Sequence, residues 1–153
     1  MQLSPHFTLA EFIKSDTARR IRNDNMPTPA HLINLRRTAQ RMEQVRWVLK
    51  DHPIHVNSAY RNPVVNRAVG GVANSDHAQG NAVDFECPSF GDPYKVTLAL
   101  SQSNLIFDQL IHERKESGSW WTHISFAPRL RQQLLTFNGD GYIAGIHPVS
   151  FGR

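Results

Sequence analysis

The sequence predicts an α+β fold in which helices pack on a small, mainly antiparallel sheet, forming one domain over residues 1–153. Three observations carry that reading. Apolar residues recur at helical spacing from Thr28 to about Lys50. The period changes after Pro53, where Ile54 and Val56 alternate with His55 and Asn57. Later runs are short and strand-like, and the last two flank Asn138-Gly139-Asp140-Gly141, a hairpin signal. A chain of 153 residues with 40% hydrophobic content can bury its own core. No repeat, low-complexity tract or linker divides it.

Each element has a local reason. Thr8 and Glu11 stand at capping-box spacing and start a short helix near Leu9. The polar, basic stretch from Ser15 to Asn25 reads as loop with a turn or two of helix. Thr28-Pro29 is an N-cap followed by a first helical residue. Leu32, Leu35, Ala39, Met42, Val45 or Trp47, and Leu49 then form the apolar stripe of a long helix. Its other face, with Arg36, Arg37, Arg41 and Glu43, is expected to be solvated. A strand ends near Ser58, and residues 60–74, rich in Arg, Asn, Pro and Gly, form an ordered loop or irregular helix. Asn81 to Phe85 is a second strand; Val83 and Phe85 point inward, which sends Asp84 to the opposite face. Asp92-Pro93 opens a helix through about Ser103. Phe107 to Glu113 and Trp120 to Phe126 are further strands, and Gln133 to Phe137 and Tyr142 to Ile146 flank the terminal turn.

Composition narrows the function classes. A single cysteine, Cys87, excludes an internal disulfide and a Cys-rich zinc site, and is expected to be a small packed side chain. The net charge of +4 and pI of about 9.6 favour anionic surroundings. Basic residues are scattered, however, and the tight cluster Arg19-Arg20-x-Arg22 has no aromatic partner beside it, so nucleic acid is not expected as a partner. No run is long or apolar enough to span a bilayer, so stable membrane insertion is not expected. The N-terminus lacks a basic region followed by an apolar run, so synthesis in the cytoplasm without a signal peptide is expected.

The chemistry concentrates in Ser75-Asp76-His77-Ala78-Gln79-Gly80-Asn81-Ala82-Val83-Asp84, where six residues separate a histidine from a carboxylate. A third candidate ligand, His123, lies in the strand-like run Trp121-Thr122-His123-Ile124-Ser125-Phe126. Two imidazoles and one carboxylate leave a tetrahedral metal one open position, the mark of a catalytic zinc. With eight histidines in the chain, His55 and His112 are the competing ligands, while His6, His31, His52 and His147 are read as surface residues.

The wider pattern points to a family. Ser58-Ala59-Tyr60-Arg61-Asn62-Pro63, Asn66, Val69-Gly70-Gly71 and Ser75-x-His77-x-x-Gly80-x-Ala82-x-Asp84 come first. Phe107-Asp108-Gln109-Leu110-Ile111-x-Glu113 and Trp121-x-His123-Ile124-Ser125 follow in order. Together they resemble the zinc D-alanyl-D-alanine carboxypeptidase family, which includes bacterial cell-wall carboxypeptidases and phage endolysins that cut peptidoglycan stems. Ala59 replaces a common glycine, and Trp120 stands three positions before His123, where many members carry an acid.

The resemblance implies one zinc per chain held by His77, Asp84 and His123. It implies Glu113 as catalytic base, with Glu116 as the alternative. Arg61 would clamp a substrate carboxylate, and Ser75 would bond substrate or simply orient its loop. Asp108 and Gln109 either orient a ligand histidine or are polar residues at the edge of the core. Trp120 and Trp121 either line the groove or pack. The expected function is a zinc-dependent peptidase of peptidoglycan stem peptides: a monomeric phage endolysin acting on the cell wall or periplasm during host lysis. The alternatives are a non-catalytic zinc-containing wall-binding module and a virion-associated component for cell entry.

Overall fold

A computed structural model describes residues 1–148. It begins with a small antiparallel hairpin, β1 (Gln2–Ser4) and β2 (Phe7–Thr8), for which the sequence carries no strong signal. Helix α1 (Leu9–Ile13) follows, capped as expected by the reciprocal Thr8–Glu11 box. The basic stretch contains one short helix, α2 (Asp16–Arg20).

The long helix α3 (Pro29–Val48) starts at the Thr28 cap. It stops at Val48, with Leu49 as C-cap, because Lys50 and Asp51 turn into left-handed backbone at φ 57° and 63°. Leu35, Ala39, Met42, Val45 and Leu49 are fully buried, while Trp47 is 81% exposed, so the stripe runs through Val45. Glu43 departs from the solvated surface expected of it. Its carboxylate accepts from Ser4 Oγ at 2.6 Å and from the His6 backbone N–H at 2.7 Å, pinning the N-terminal hairpin to α3.

The remaining elements are β3 (His55–Ser58), α4 (Pro63–Ala68), α5 (Asp76–Gln79), β4 (Ala82–Glu86), α6 (Pro93–Ser101), β5 (Gln109–Arg114), β6 (Trp120–Ser125), β7 (Gln133–Phe137) and β8 (Tyr142–Ala144). Six strands form one sheet in the order β3-β4-β6-β5-β7-β8. All pairs are antiparallel except β5 with β7. The α+β, mainly antiparallel expectation therefore holds, with one parallel pair that local sequence does not announce.

Alternation assigns the two sheet faces. Val83, Phe85, Leu110 and Ile124 are fully buried in the core with Phe12, Leu35, Met42 and Leu100. The opposite face carries Asp84, Ile111, Glu113, Trp121 and His123, which line a cleft. Cys87 packs against the core and donates to the Pro53 carbonyl at 3.2 Å. Among the described residues, no helix is long and apolar enough to cross a membrane.

Candidate metal centre

Three local structures bring His77, Asp84 and His123 together. His77 sits on α5, a single turn capped by Ser75, whose Oγ accepts from the His77 backbone N–H at 3.2 Å. Gly80 ends that turn at φ 81°, in the left-handed region glycine enters without penalty, and redirects the chain into β4. Helix α3 grips the corner from behind. Asn34 Nδ2 donates to the Gln79 carbonyl at 2.8 Å, and Thr38 Oγ1 to the Gly80 carbonyl at 2.7 Å. The β4–β6 register then sets Asp84 directly opposite His123, where side chains of an antiparallel pair meet.

The three donors face one another. His77 Nδ1 lies 2.6 Å from the Ala59 carbonyl. A carbonyl only accepts, so Nδ1 carries a proton, and Nε2 is the nitrogen turned toward Asp84 and left to ligate a metal when it is deprotonated. Nε2 lies 3.3 Å from Asp84 Oδ2, while His123 Nδ1 lies 2.7 Å from Asp84 Oδ1. One potential ligand atom from each residue falls within 4.8 Å of the others, and all three residues are buried. This donor set fits zinc, and the Ala59 carbonyl supplies the outer hydrogen bond that orients a ligand imidazole.

Electrostatics match that arrangement. Burial opposes the Asp84 carboxylate, but the two histidines outweigh it and hold the group far below the usual carboxylate range. Burial also opposes the His123 imidazolium, yet the hydrogen bond and charge of Asp84 raise its pKa. Glu113 is pushed above an ordinary glutamate, first by burial and then by the negative charge of Asp84.

The cleft, about 460 Å³, places the other sequence candidates. Glu113 lines it, cross-strand from Trp121. Glu116 is exposed in the turn between β5 and β6 and is not among the lining residues. Arg61 and Ser75 also line it, joined by a long contact of 3.4 Å from Arg61 Nη2 to Ser75 Oγ. Arg61 Nε is buried without an acceptor among the described residues. Burial lowers the Arg61 pKa, while Asp84 and Glu113 act against that fall.

Several expectations separate here. Trp121 lines the cleft, whereas Trp120 stacks on His112 at 4.3 Å on the other face of the sheet. In that register Glu113 lies opposite Trp121 and lines the cleft, whereas position 120 does not. His112 is buried there, with Nδ1 at 2.8 Å from the His147 carbonyl, and His55 is exposed on β3; neither joins the cluster. Asp108 and Gln109 do not orient a ligand histidine. Asp108 binds Arg131 through Nε at 2.9 Å, and Gln109 pairs with Gln133 at 2.8 Å.

The sequence reading missed Asp76, Arg129, Arg131 and Tyr142, which also line the cleft. The doublet Arg129-x-Arg131, placed just after the His123 strand, was a usable signal. Tyr142 offered none, because the pairing of β7 with β5 brings it in.

The family model for peptidase M15 matches residues 5–125. No match was found among curated proteins. The matched span covers most of the chain and takes in all three donors, Arg61 and Glu113, so the chain belongs to the peptidase M15 family of zinc D-alanyl-D-alanine carboxypeptidases.

Proposed function

We propose that this protein hydrolyses peptide bonds in peptidoglycan stem peptides and serves as a phage endolysin in host cell lysis. The observation that carries the reading is the convergence of His77, Asp84 and His123 with Glu113 in one cleft. When bound, zinc supplies Lewis-acid activation of water and of the scissile carbonyl. Glu113, raised in pKa and set beside the ligands, accepts a proton from the attacking water and returns it to the leaving nitrogen. Arg61 lines the same cleft and takes a substrate carboxylate, for which its planar fork is suited. The net charge of +4 favours approach to an anionic cell wall, where the protein acts as a monomer.

The test is mass spectrometry of purified peptidoglycan digested with zinc-loaded protein, beside a chelated control. Release of defined stem fragments that the chelator abolishes supports the peptidase and identifies the bond. Intact peptidoglycan after incubation with folded, fully metallated protein would overturn it and leave a wall-binding module as the better reading. The endolysin role is tested separately: expression with a membrane-permeabilising partner should lyse cells for the native chain and not for His77→Ala.

A further inference from the structure

The cleft has a wall that lies beyond the family match. Its residues Arg129, Arg131 and Tyr142 follow position 125, where the match ends. Two acids hold the arginines in place. Arg129 Nη2 lies 3.0 and 3.1 Å from the two Asp76 oxygens and 3.1 Å from Asp108 Oδ2. Arg131 meets Asp108 in a fork, Nε to Oδ1 at 2.9 Å and Nη2 to Oδ2 at 3.0 Å, and its backbone N–H donates to Oδ1 at 3.1 Å. The Asp108 side chain is fully buried, whereas those of Arg129 and Arg131 are 54% and 42% exposed. Asp76 is anchored in turn by Ser125 Oγ at 2.7 Å. It directly precedes the ligand His77, so this assembly abuts the metal centre.

The pattern of used and unused donors is informative. Every contact that Arg129 makes through its guanidinium comes from Nη2, leaving Nε and Nη1 with no protein acceptor among the described residues. Arg131 likewise keeps Nη1 unengaged among them. A surface ion pair needs no buried partner, and a purely structural one has no reason to face a reaction cleft. Here the acids hold Nη2 of Arg129 and the Nε–Nη2 edge of Arg131, while both side chains line the cleft, so a guanidinium already fixed in place has N–H groups left for an anion at lower ordering cost.

We propose that Arg129, supported by Arg131, is a carboxylate clamp that makes the cleft prefer stem peptides bearing a free carboxylate near the scissile bond over their carboxamides. Asp108 and Asp76 are positioning residues for it. The proposal rests on the peptidase reading above and adds to Arg61 a second cationic arm from outside the matched family region. The carboxylate could belong to the glutamyl residue of the stem or to its C-terminus.

The experiment uses zinc-loaded protein and three synthetic stem peptides: one with both carboxylates free, one amidated at the glutamyl carboxylate, and one amidated at the C-terminus. Affinity is read by chemical-shift titration and turnover as kcat/KM by chromatography. Arg129→Ala should weaken the fully free peptide about ten- to a hundredfold, the range for a charge-assisted bond pair. It should change one amidated peptide less than about twofold, and that peptide identifies which carboxylate is held. Arg129→Lys, which keeps charge without the fork, should recover only part of the loss. Zinc content, measured in parallel, should match the native protein, and the thermal midpoint should fall only slightly, because Arg131 still pairs Asp108 and Ser125 still holds Asp76. Equal losses for all three peptides, or a preference untouched by Arg129→Ala, would overturn the clamp while leaving the peptidase standing. Binding with the predicted preference but no cleavage would sink the peptidase and keep the clamp. If the native protein binds no peptide, both are wrong.

Discussion

Glu113 shows how much one side chain depends on its neighbours. Burial and the charge of Asp84 raise its pKa, against the pull of His123 and His77. In chelated protein its carboxyl carbon should therefore titrate above the roughly 4.3 of an ordinary glutamate. Adding zinc should move that titration down, because a nearby dication favours the charged form. Carbon-detected NMR titration checks both directions. Glu113→Gln should retain one zinc by elemental analysis and lose about 10²–10⁴ in kcat, the usual contribution of a positioned base. Full turnover in that variant would move the base elsewhere. His77→Ala or Asp84→Ala should instead lose the metal itself, since each removes one of three protein donors.

At the level of elements, the site is a product of one register and one corner. Slipping β4 against β6 by one residue would turn Asp84 into the core and Val83 into the cleft, so the buried Val83 and Phe85 lock the catalytic face as firmly as any polar contact. The corner is Gly80. A Cβ there would lie 3.1 Å from the His31 carbonyl oxygen, on a residue already at φ 81°. Gly80→Ala should cost about 1–2 kcal/mol from the left-handed backbone alone, more if α3 has to give way. Urea unfolding measures that loss, and zinc affinity should fall with it because His77 and Asp84 flank the corner.

The loop carrying Arg61 has its own pin in Asn25. The residue is buried at φ 54°, a conformation Asn tolerates. Its Nδ2 donates to the carbonyls of Ile13 at 2.7 Å and Tyr60 at 2.9 Å, and its Oδ1 accepts from the Asn62 N–H at 2.8 Å. Asn25→Ala leaves backbone groups on both sides of Arg61 unpaired and should destabilise the fold by roughly 2–4 kcal/mol. Chemical denaturation compared with the native chain decides it.

Across the whole molecule, the C-terminal strands connect folding to acid stability. Strand β7 runs parallel to β5, and just before it the chain places Arg129 and Arg131 on Asp108. Burial would raise the Asp108 carboxyl, but the hydrogen bonds of Arg131 and the charges of both arginines hold it below its ordinary value. A carboxylate whose folded pKa is depressed contributes stability above its unfolded pKa of about 3.9 and loses it as pH falls through the folded value. Asp108→Asn should therefore lower the thermal midpoint near neutrality and change it much less in strong acid. Calorimetry at both ends of that range checks the sign.

The parts legible in the sequence were those decided within a few residues. Caps at Thr8, Thr28 and Asp92 were readable because side-chain and backbone partners lie three positions apart. The strand period assigned Asp84 to the face opposite Val83 and Phe85, and the motif around His77 named the donors before any fold existed. What the sequence could not rank was competition between distant contacts. Val45 and Trp47 are equally apolar, and only packing of α3 on the core buries one and exposes the other. Glu43 reads as a surface acid until the N-terminal hairpin folds onto it. Asp108 reads as a neighbour for a histidine until a parallel strand pairing, closed across more than twenty residues, delivers Arg131 instead. By itself the sequence determined most of the elements, the candidate trio His77, Asp84 and His123, and the family. Only the tertiary structure decided which acids, arginines and aromatics line the cleft of the candidate metal centre, because those positions are set by non-local burial and pairing, which no short window of sequence contains.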